Sequence, residues 1–200
     1  MKNSCEVSIG CGPARLSVKS LAKVVASYIS TYRRKADREL KFYSMQRSLS
    51  EAIRKSALSV LRGGKRHNHQ RRIPRAVLLN AEQTLQAAKE KIENLNSFDQ
   101  LHDLVREEIG KIKGIGSLAI YDITHRIAAF LQFEPQKIYL HAGTRLGARF
   151  LGLSGDVVES NKLPKVFSKL SPAEIEDCLC IYAEEISRIT RSTLKKRSLC

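Results

Sequence analysis

Apolar residues recur along most of the chain at steps of three and four. Leu16, Leu21, Val24, Val25, Tyr28, Ile29 and Tyr32 predict a helix within 15–40, and Met45, Leu49, Ile53 and Val60 a second over about 44–61 that stops at Gly63-Gly64. From Pro74, suited to a first helical position, Leu78, Ala81, Leu85, Ala88, Ile92 and Leu95 predict a third helix packed on its neighbours. Ser97-Phe98-Asp99-Gln100 reads as a capping box opening a helix with Leu101, Leu104, Val105 and Ile109 on one face. Leu118, Ile120, Ile123, Ile127 and Leu131 mark another, joined to it by Lys113-Gly114-Ile115-Gly116. Phe133-Glu134-Pro135 breaks the pattern, and a short extended piece then enters a small-residue helix within 137–149. Residues 154–165 read as a loop, and Ser171-Pro172-Ala173-Glu174 as a capping box opening a last helix through about Ile189. The expected fold is all-α, with six to eight helices and little or no sheet.

Two hundred residues suffice for a single helical domain with a real core. Within it the sequence separates into a basic helical half (1–96), the glycine-linked pair (97–131), C-terminal helices (132–190) and a basic tail (191–200). The formal charge of +15 is uneven: residues 1–96 carry 20 Lys and Arg against 7 Asp and Glu, residues 97–200 carry 15 against 13. A surface this basic attracts polyanions. No apolar run approaches the span of a bilayer, and Met1-Lys2-Asn3-Ser4-Cys5-Glu6 lacks the apolar core of a signal peptide, so a soluble cytoplasmic protein without membrane contact is expected. Cys5, Cys11, Cys178, Cys180 and Cys200 are odd in number and form neither a disulfide framework nor a four-cysteine cluster array.

Gly114 and Gly116 let the backbone turn tightly and approach a ligand, while the first amides of the following helix can donate to a phosphate. Lys111 and Lys113 add charge, Ile115 is expected to point inward and pin the pair, and Gly114, Ile115, Gly116, Ser117 and Leu118 together are expected to hold the strand. The segment 99–131 resembles the helix-hairpin-helix superfamily, in which such a hairpin binds DNA without sequence preference. A second basic element is Lys65-Arg66-His67-Asn68-His69-Gln70-Arg71-Arg72-Ile73-Pro74-Arg75. A literal His-Asn-His tripeptide has none of the geometry of an HNH nuclease, and no Cys or His pair stands at zinc spacing. Two readings remain: a solvated loop, or a strand-contacting loop using Arg66, Arg71 and Arg72.

A hairpin followed by Leu140-His141-Ala142 and Arg145-Leu146-Gly147-Ala148-Arg149 also resembles the base-excision DNA glycosylases of the endonuclease III type. More broadly, the chain looks like a group of small bacterial proteins. The glycosylase resemblance implies an everted nucleotide facing the start of the helix after the hairpin. The family's aspartate there and its lysine two positions after the second hairpin glycine are both absent, Leu118 occupying the latter place. Asp122 and His141 are then the catalytic candidates, Tyr121, Tyr139 and Thr144 candidates for a base pocket, and Arg145 and Arg149 for phosphate contact. Asp122 could equally be the i,i+4 ion-pair partner of Arg126, and Glu174, Glu176 and Asp177 are explained by the dipole of the helix they open. The expected partner is DNA, duplex with an everted base or single-stranded, with no metal or other cofactor. The expected activity is excision of a damaged or modified base, including hypermodified phage bases, to leave an abasic site. The rivals are a non-enzymatic DNA-binding module and an RNA-binding protein whose Tyr28, Tyr32 and Tyr43 stack on bases.

Overall fold

The computed structural model describes residues 18–67 and 70–197, with side chains in the last helix as far as Arg191. Leu16, Asn68, His69, Cys5, Cys11 and Cys200 lie outside the described residues. The protein is all-α, with one two-residue strand pair among the described residues. Its first helix, α1 (Val18–Tyr28), passes through a π-helical segment, Ile29–Arg33, into α2 (Arg34–Ser44). A π segment accommodates extra backbone per turn and so changes which face meets the interior. Before it Leu21, Val24, Val25 and Tyr28 are buried; after it Tyr43 is.

The helix predicted over about 44–61 is α3 (Leu49–Ala57), capped by Ser48, whose hydroxyl accepts from the Glu51 amide at 3.2 Å. It ends before Gly63-Gly64 because Ser59 adopts φ +58°, a left-handed conformation that stops helix propagation. The predicted helix over 74–95 divides at Ala88 (ψ +6°) into α4 (Arg75–Ala87) and α5 (Lys89–Glu93), while its apolar stripe stays in one core. Next come α6 (Phe98–Ile109) and α7 (Ser117–Leu131). Ser97 caps α6 through the Gln100 amide, but the Gln100 side chain returns to the Asn96 amide at 2.9 Å instead of to Ser97, so only half of the predicted capping box forms.

Beyond the Pro135 break, β1 (Ile138–Tyr139) pairs antiparallel with β2 (Val157–Val158), Ile138 opposite Val158. This short ladder, extended by Leu140 N donating to Asp156 O at 2.7 Å, delivers the chain to α8 (Ala142–Phe150) with His141 at its N-cap. Ser160–Lys162 and Lys165–Lys169 form short 3₁₀ turns inside the predicted loop region. The Ser171/Glu174 capping box is complete and opens α9 (Pro172–Ile181). Tyr182 interrupts the predicted last helix (ψ +18°), and α10 (Ala183–Arg197) continues into the tail.

Burial organises these elements around two apolar clusters. One joins α3, α4, α6 and α7, with Ile53, Leu78, Phe98, Leu101, Ile109 and Ile123 at its centre. The other joins α1, β1, α8, α9 and α10, with Leu21, Tyr28, Ile138, Phe167 and Ile186. Each such apolar side chain contributes roughly 1.5–3 kcal/mol on burial. The first cluster runs from Leu49 to Tyr139, across the change in charge at residue 96. Among the described residues no helix is long and apolar enough to cross a membrane.

Candidate functional site

The turn between α6 and α7 is closed by Ile112 N donating to Ile109 O (3.1 Å) and Ile115 N to Ile112 O (3.0 Å). Ile115 points into the first core, as expected, while Lys111, Lys113, Gly114, Gly116 and Ser117 are exposed. The two glycines differ. Gly114 has φ +102°, which disfavours any side chain, and a Cβ there would lie 3.4 Å from Val77 Cγ1. Gly116, the N-cap of α7, has φ −108° and nothing within 4 Å of a built Cβ. Neither backbone nor packing requires glycine at 116. It makes no side-chain cap, so the opening amides of α7 have no intrahelical or cap partner.

Val77 places the start of α4 against this turn, and exposed Arg71, Arg72 and Arg75 lead into α4. The hairpin and part of the basic loop therefore adjoin. Arg66 does not share that exposure: its guanidinium donates to the carbonyls of Gln70 and Ile73, the latter at 2.8 Å, and braces the loop from within. His67 is likewise internal, at hydrogen-bond distance from the Tyr43 hydroxyl (3.0 Å) and 3.3 Å from Glu39. Arg145 and Arg149 are exposed on α8, Arg145 in an ion pair with Asp156.

Where the two apolar clusters meet, buried polar groups collect. His141 is 3 % exposed and Glu176, on α9, 7 %. His141 Nε2 contacts Glu176 Oε1, and the fully buried Thr144 hydroxyl donates to the same oxygen at 2.7 Å. His141 Nδ1 is buried with no hydrogen-bond partner among the described residues. The Tyr121 ring centroid lies 6.1 Å from that of His141, and Phe98, His102, His125 and Tyr139 surround Tyr121 and one another. Tyr139 donates to Asp99 at 2.6 Å.

Asp122 does not pair with His141. It accepts from Arg126 and from Gln70 Nε2, both at 3.3 Å, so the i,i+4 alternative forms, on a largely buried face of α7. Glu174 caps α9 and binds Arg33. Glu176 and Asp177 do not simply answer the helix dipole: Glu176 holds His141, and Asp177 accepts from the Tyr28 hydroxyl at 3.1 Å. The signal that could have found Glu176 is its place among Ile175, Cys178 and Leu179, a carboxylate within the buried surface of α9.

Electrostatics set this seam apart from the basic exterior. Burial first, then the Glu176 charge, pushes the Asp177 carboxyl up to about 6, with Glu39 and Asp122 adding and the Tyr28 hydrogen bond opposing. The same burial and the charges of Glu176, Asp177 and Asp122 raise the Cys180 thiol to about 12, so it is not a thiolate nucleophile. Desolvation lowers His125 to about 4. Among the described residues no group of three or more His, Cys, Asp or Glu is placed to hold a metal ion.

Tyr121, Tyr139 and Thr144 are brought close to His141, but buried as packing rather than lining an open pocket. A groove of about 360 Å³ lies on the other side of α8, lined by Gly143, Leu146, Cys180, Tyr182 and Arg188 among others. His141 is not part of its lining, although a Cβ on Gly143 would lie 2.7 Å from Cys180 Sγ and 3.7 Å from His141 Cε1. Comparison with models of protein families, with curated proteins and with solved structures finds no match to the chain.

Proposed function

We propose that this protein grips the DNA backbone at the 110–117 turn and hydrolyses the N-glycosidic bond of a damaged or modified nucleotide turned out toward His141. The observation that carries the reading is Gly116: an exposed glycine that the fold does not need, at the head of a helix whose amides are uncapped, between Lys111, Lys113 and the arginines before α4. A glycine where nothing inside requires it fits close approach from outside, and helix-start amides are suited to a phosphate.

The chemistry follows from the His141–Glu176 pair. Glu176 accepting at Nε2 favours the tautomer with its proton there, leaving Nδ1 as the basic nitrogen; the assignment rests on the hydrogen-bond arrangement. In the reaction a water oxygen bonds to the sugar C1′ as the bond from C1′ to the base nitrogen breaks. His141 Nδ1 takes the water proton, Glu176 stabilises the resulting imidazolium, and the departing base nitrogen is protonated by solvent. Because Nδ1 is covered, the seam must open at Gly143 for the nucleotide to reach it.

Two measurements test the two halves. Binding of fluorescent duplex DNA against salt should weaken and show a shallower slope, by about 1–2, in Lys111→Ala/Lys113→Ala. A panel of lesion-bearing and hypermodified DNAs should yield alkali-labile sites with the wild type and none with His141→Ala. Unchanged binding in the lysine variant removes the hairpin from the site; absence of breaks across the panel removes the hydrolysis. The burial of both His141 and Glu176 favours a second reading, a DNA-binding module without chemistry, which retains the first result and lacks the other. Preference for single-stranded RNA over duplex DNA in competition would replace both.

A further inference from the structure

The hairpin does not account for all of the positive surface. At ~100° per residue, Arg34, Arg38 and Lys41 of α2 fall within a sector of ~60°, with Lys35 beside them and Tyr43 on the opposite side. All four basic residues are exposed, and no ion pair or hydrogen bond engages their side chains among the described residues. The acids nearby do not neutralise the row: Asp37 lies at its edge and makes no ion pair, and Glu39 is turned inward to His67. Arg33, by contrast, is taken up by Glu174 and the Lys169 carbonyl. The inner face of α2 rests on α7, with the Arg126 guanidinium 5.6 Å from the Tyr43 ring centroid.

We infer that the outer face of α2 is a second DNA-backbone contact, so that the protein holds its substrate at two separate places. The complementarity is one of charge and length. From Arg34 to Lys41 the helix rises ~10 Å, the axial length of about three base-pair steps at ~3.4 Å each, over which a duplex presents several phosphates to the row. From Gly116 to Arg126, where α2 crosses, α7 rises ~15 Å, so a ligand engaging both places must extend beyond about five base pairs. This inference rests on the DNA-binding reading for its ligand and not on the hydrolysis.

The experiment is a salt titration of binding to a duplex of about twenty base pairs and to a hairpin stem of about four, too short to span both places, for the wild type, Arg34→Ala/Arg38→Ala/Lys41→Ala and Gly116→Ser. The triple variant should flatten the long-duplex slope by about 2–3, lower affinity roughly ten- to hundredfold near 0.1 M salt, and leave short-stem binding unchanged. Gly116→Ser should weaken both DNAs. Among the described residues these outer side chains make no hydrogen bond or ion pair, and circular dichroism of each variant should match the wild type. An unchanged long-duplex slope in the triple variant overturns the second contact, whatever Gly116→Ser does. Loss of binding to phosphatidylserine vesicles in the triple variant, with DNA binding intact, assigns the row to an anionic lipid surface and overturns it too. A triple-variant effect with none from Gly116→Ser supports α2 and removes the hairpin; no DNA binding by the wild type removes both.

Discussion

The α6–α7 turn and the seam around His141 are both polar, and they solve opposite problems. At the turn, Lys111, Lys113 and Gly116 face solvent, and the opening amides of α7 have no internal cap. In the seam nearly every group has a partner inside the protein: Glu176 takes His141 and Thr144, Asp177 takes Tyr28, and Asp122 takes Arg126 and Gln70. A surface left open can be completed by a ligand at little cost to the fold. A buried network is completed by the fold itself, and changing it disturbs stability before it disturbs binding. His141 Nδ1, unpartnered in an otherwise satisfied network, is where the two logics meet.

The largest expected effect is therefore in the seam. Glu176→Ala strips the shared acceptor from His141 and Thr144 in a site almost closed to water, and should cost on the order of 3 kcal/mol of stability in urea unfolding. Glu176→Gln keeps an acceptor oxygen and should lose less. A loss below about 1 kcal/mol for the alanine variant would show that the network is not structural and would erase the contrast with the turn.

Asp177 sharpens the comparison through pH. Its folded carboxyl stands near 6 against an ordinary 3.8, so the fold favours the protonated form. The associated stability is fully present below the unfolded value and is lost as pH rises through about 6, opposite to the usual carboxylate. Asp177→Asn should flatten stability between about pH 4 and 7 and stabilise the protein at pH 8 by on the order of 2 kcal/mol, while still accepting from Tyr28. Thermal unfolding of both proteins across that range checks the sign; a wild type that gains stability on going from pH 5 to pH 7 relative to the variant contradicts it.

The contrast also explains what could be read from the chain. Apolar periodicity located the helices because burial acts on every third or fourth side chain, and Ser171/Glu174 marked the start of α9 because a cap is a local interaction. Breaks at Ala88 and Tyr182 are not legible in the sequence, because neither residue is a breaker by type. At the site, Gly114 and Ile115 declare themselves within four residues, whereas Glu176 joins His141 across 35 positions. No local pattern carries a pairing made by the packing of α8 on α9. Arg66 erred the other way, its basic composition concealing a brace for its own loop.

On the turn the expected effects on stability are smaller, and Gly114 has the greater. Gly114→Ala forces a side chain into φ +102° beside Val77 and should cost roughly 1–2 kcal/mol, read as a lower urea midpoint at unchanged m-value. Because the strain distorts the turn, DNA affinity should fall with it. An alanine variant as stable as the wild type would mean that the turn relaxes freely, weakening the view that its amides are held ready for a ligand.

Gly116 is where stability and binding should separate. Serine is a better N-cap than glycine by a few tenths of a kcal/mol, since its hydroxyl can accept from an amide of the first turn, and the backbone at φ −108° admits it with nothing within 4 Å of its Cβ. Gly116→Ser should therefore fold as well as the wild type or slightly better. The same hydroxyl occupies an amide that the proposed reading assigns to phosphate, and the added carbon stands in the path of approach, so on that reading DNA affinity should drop about tenfold, or ~1.4 kcal/mol. Fluorescence anisotropy and urea unfolding on one preparation decide it. Loss of both stability and affinity would place Gly116 with Gly114 as a requirement of the fold; loss of neither would leave the exposed turn as a plain joint between α6 and α7.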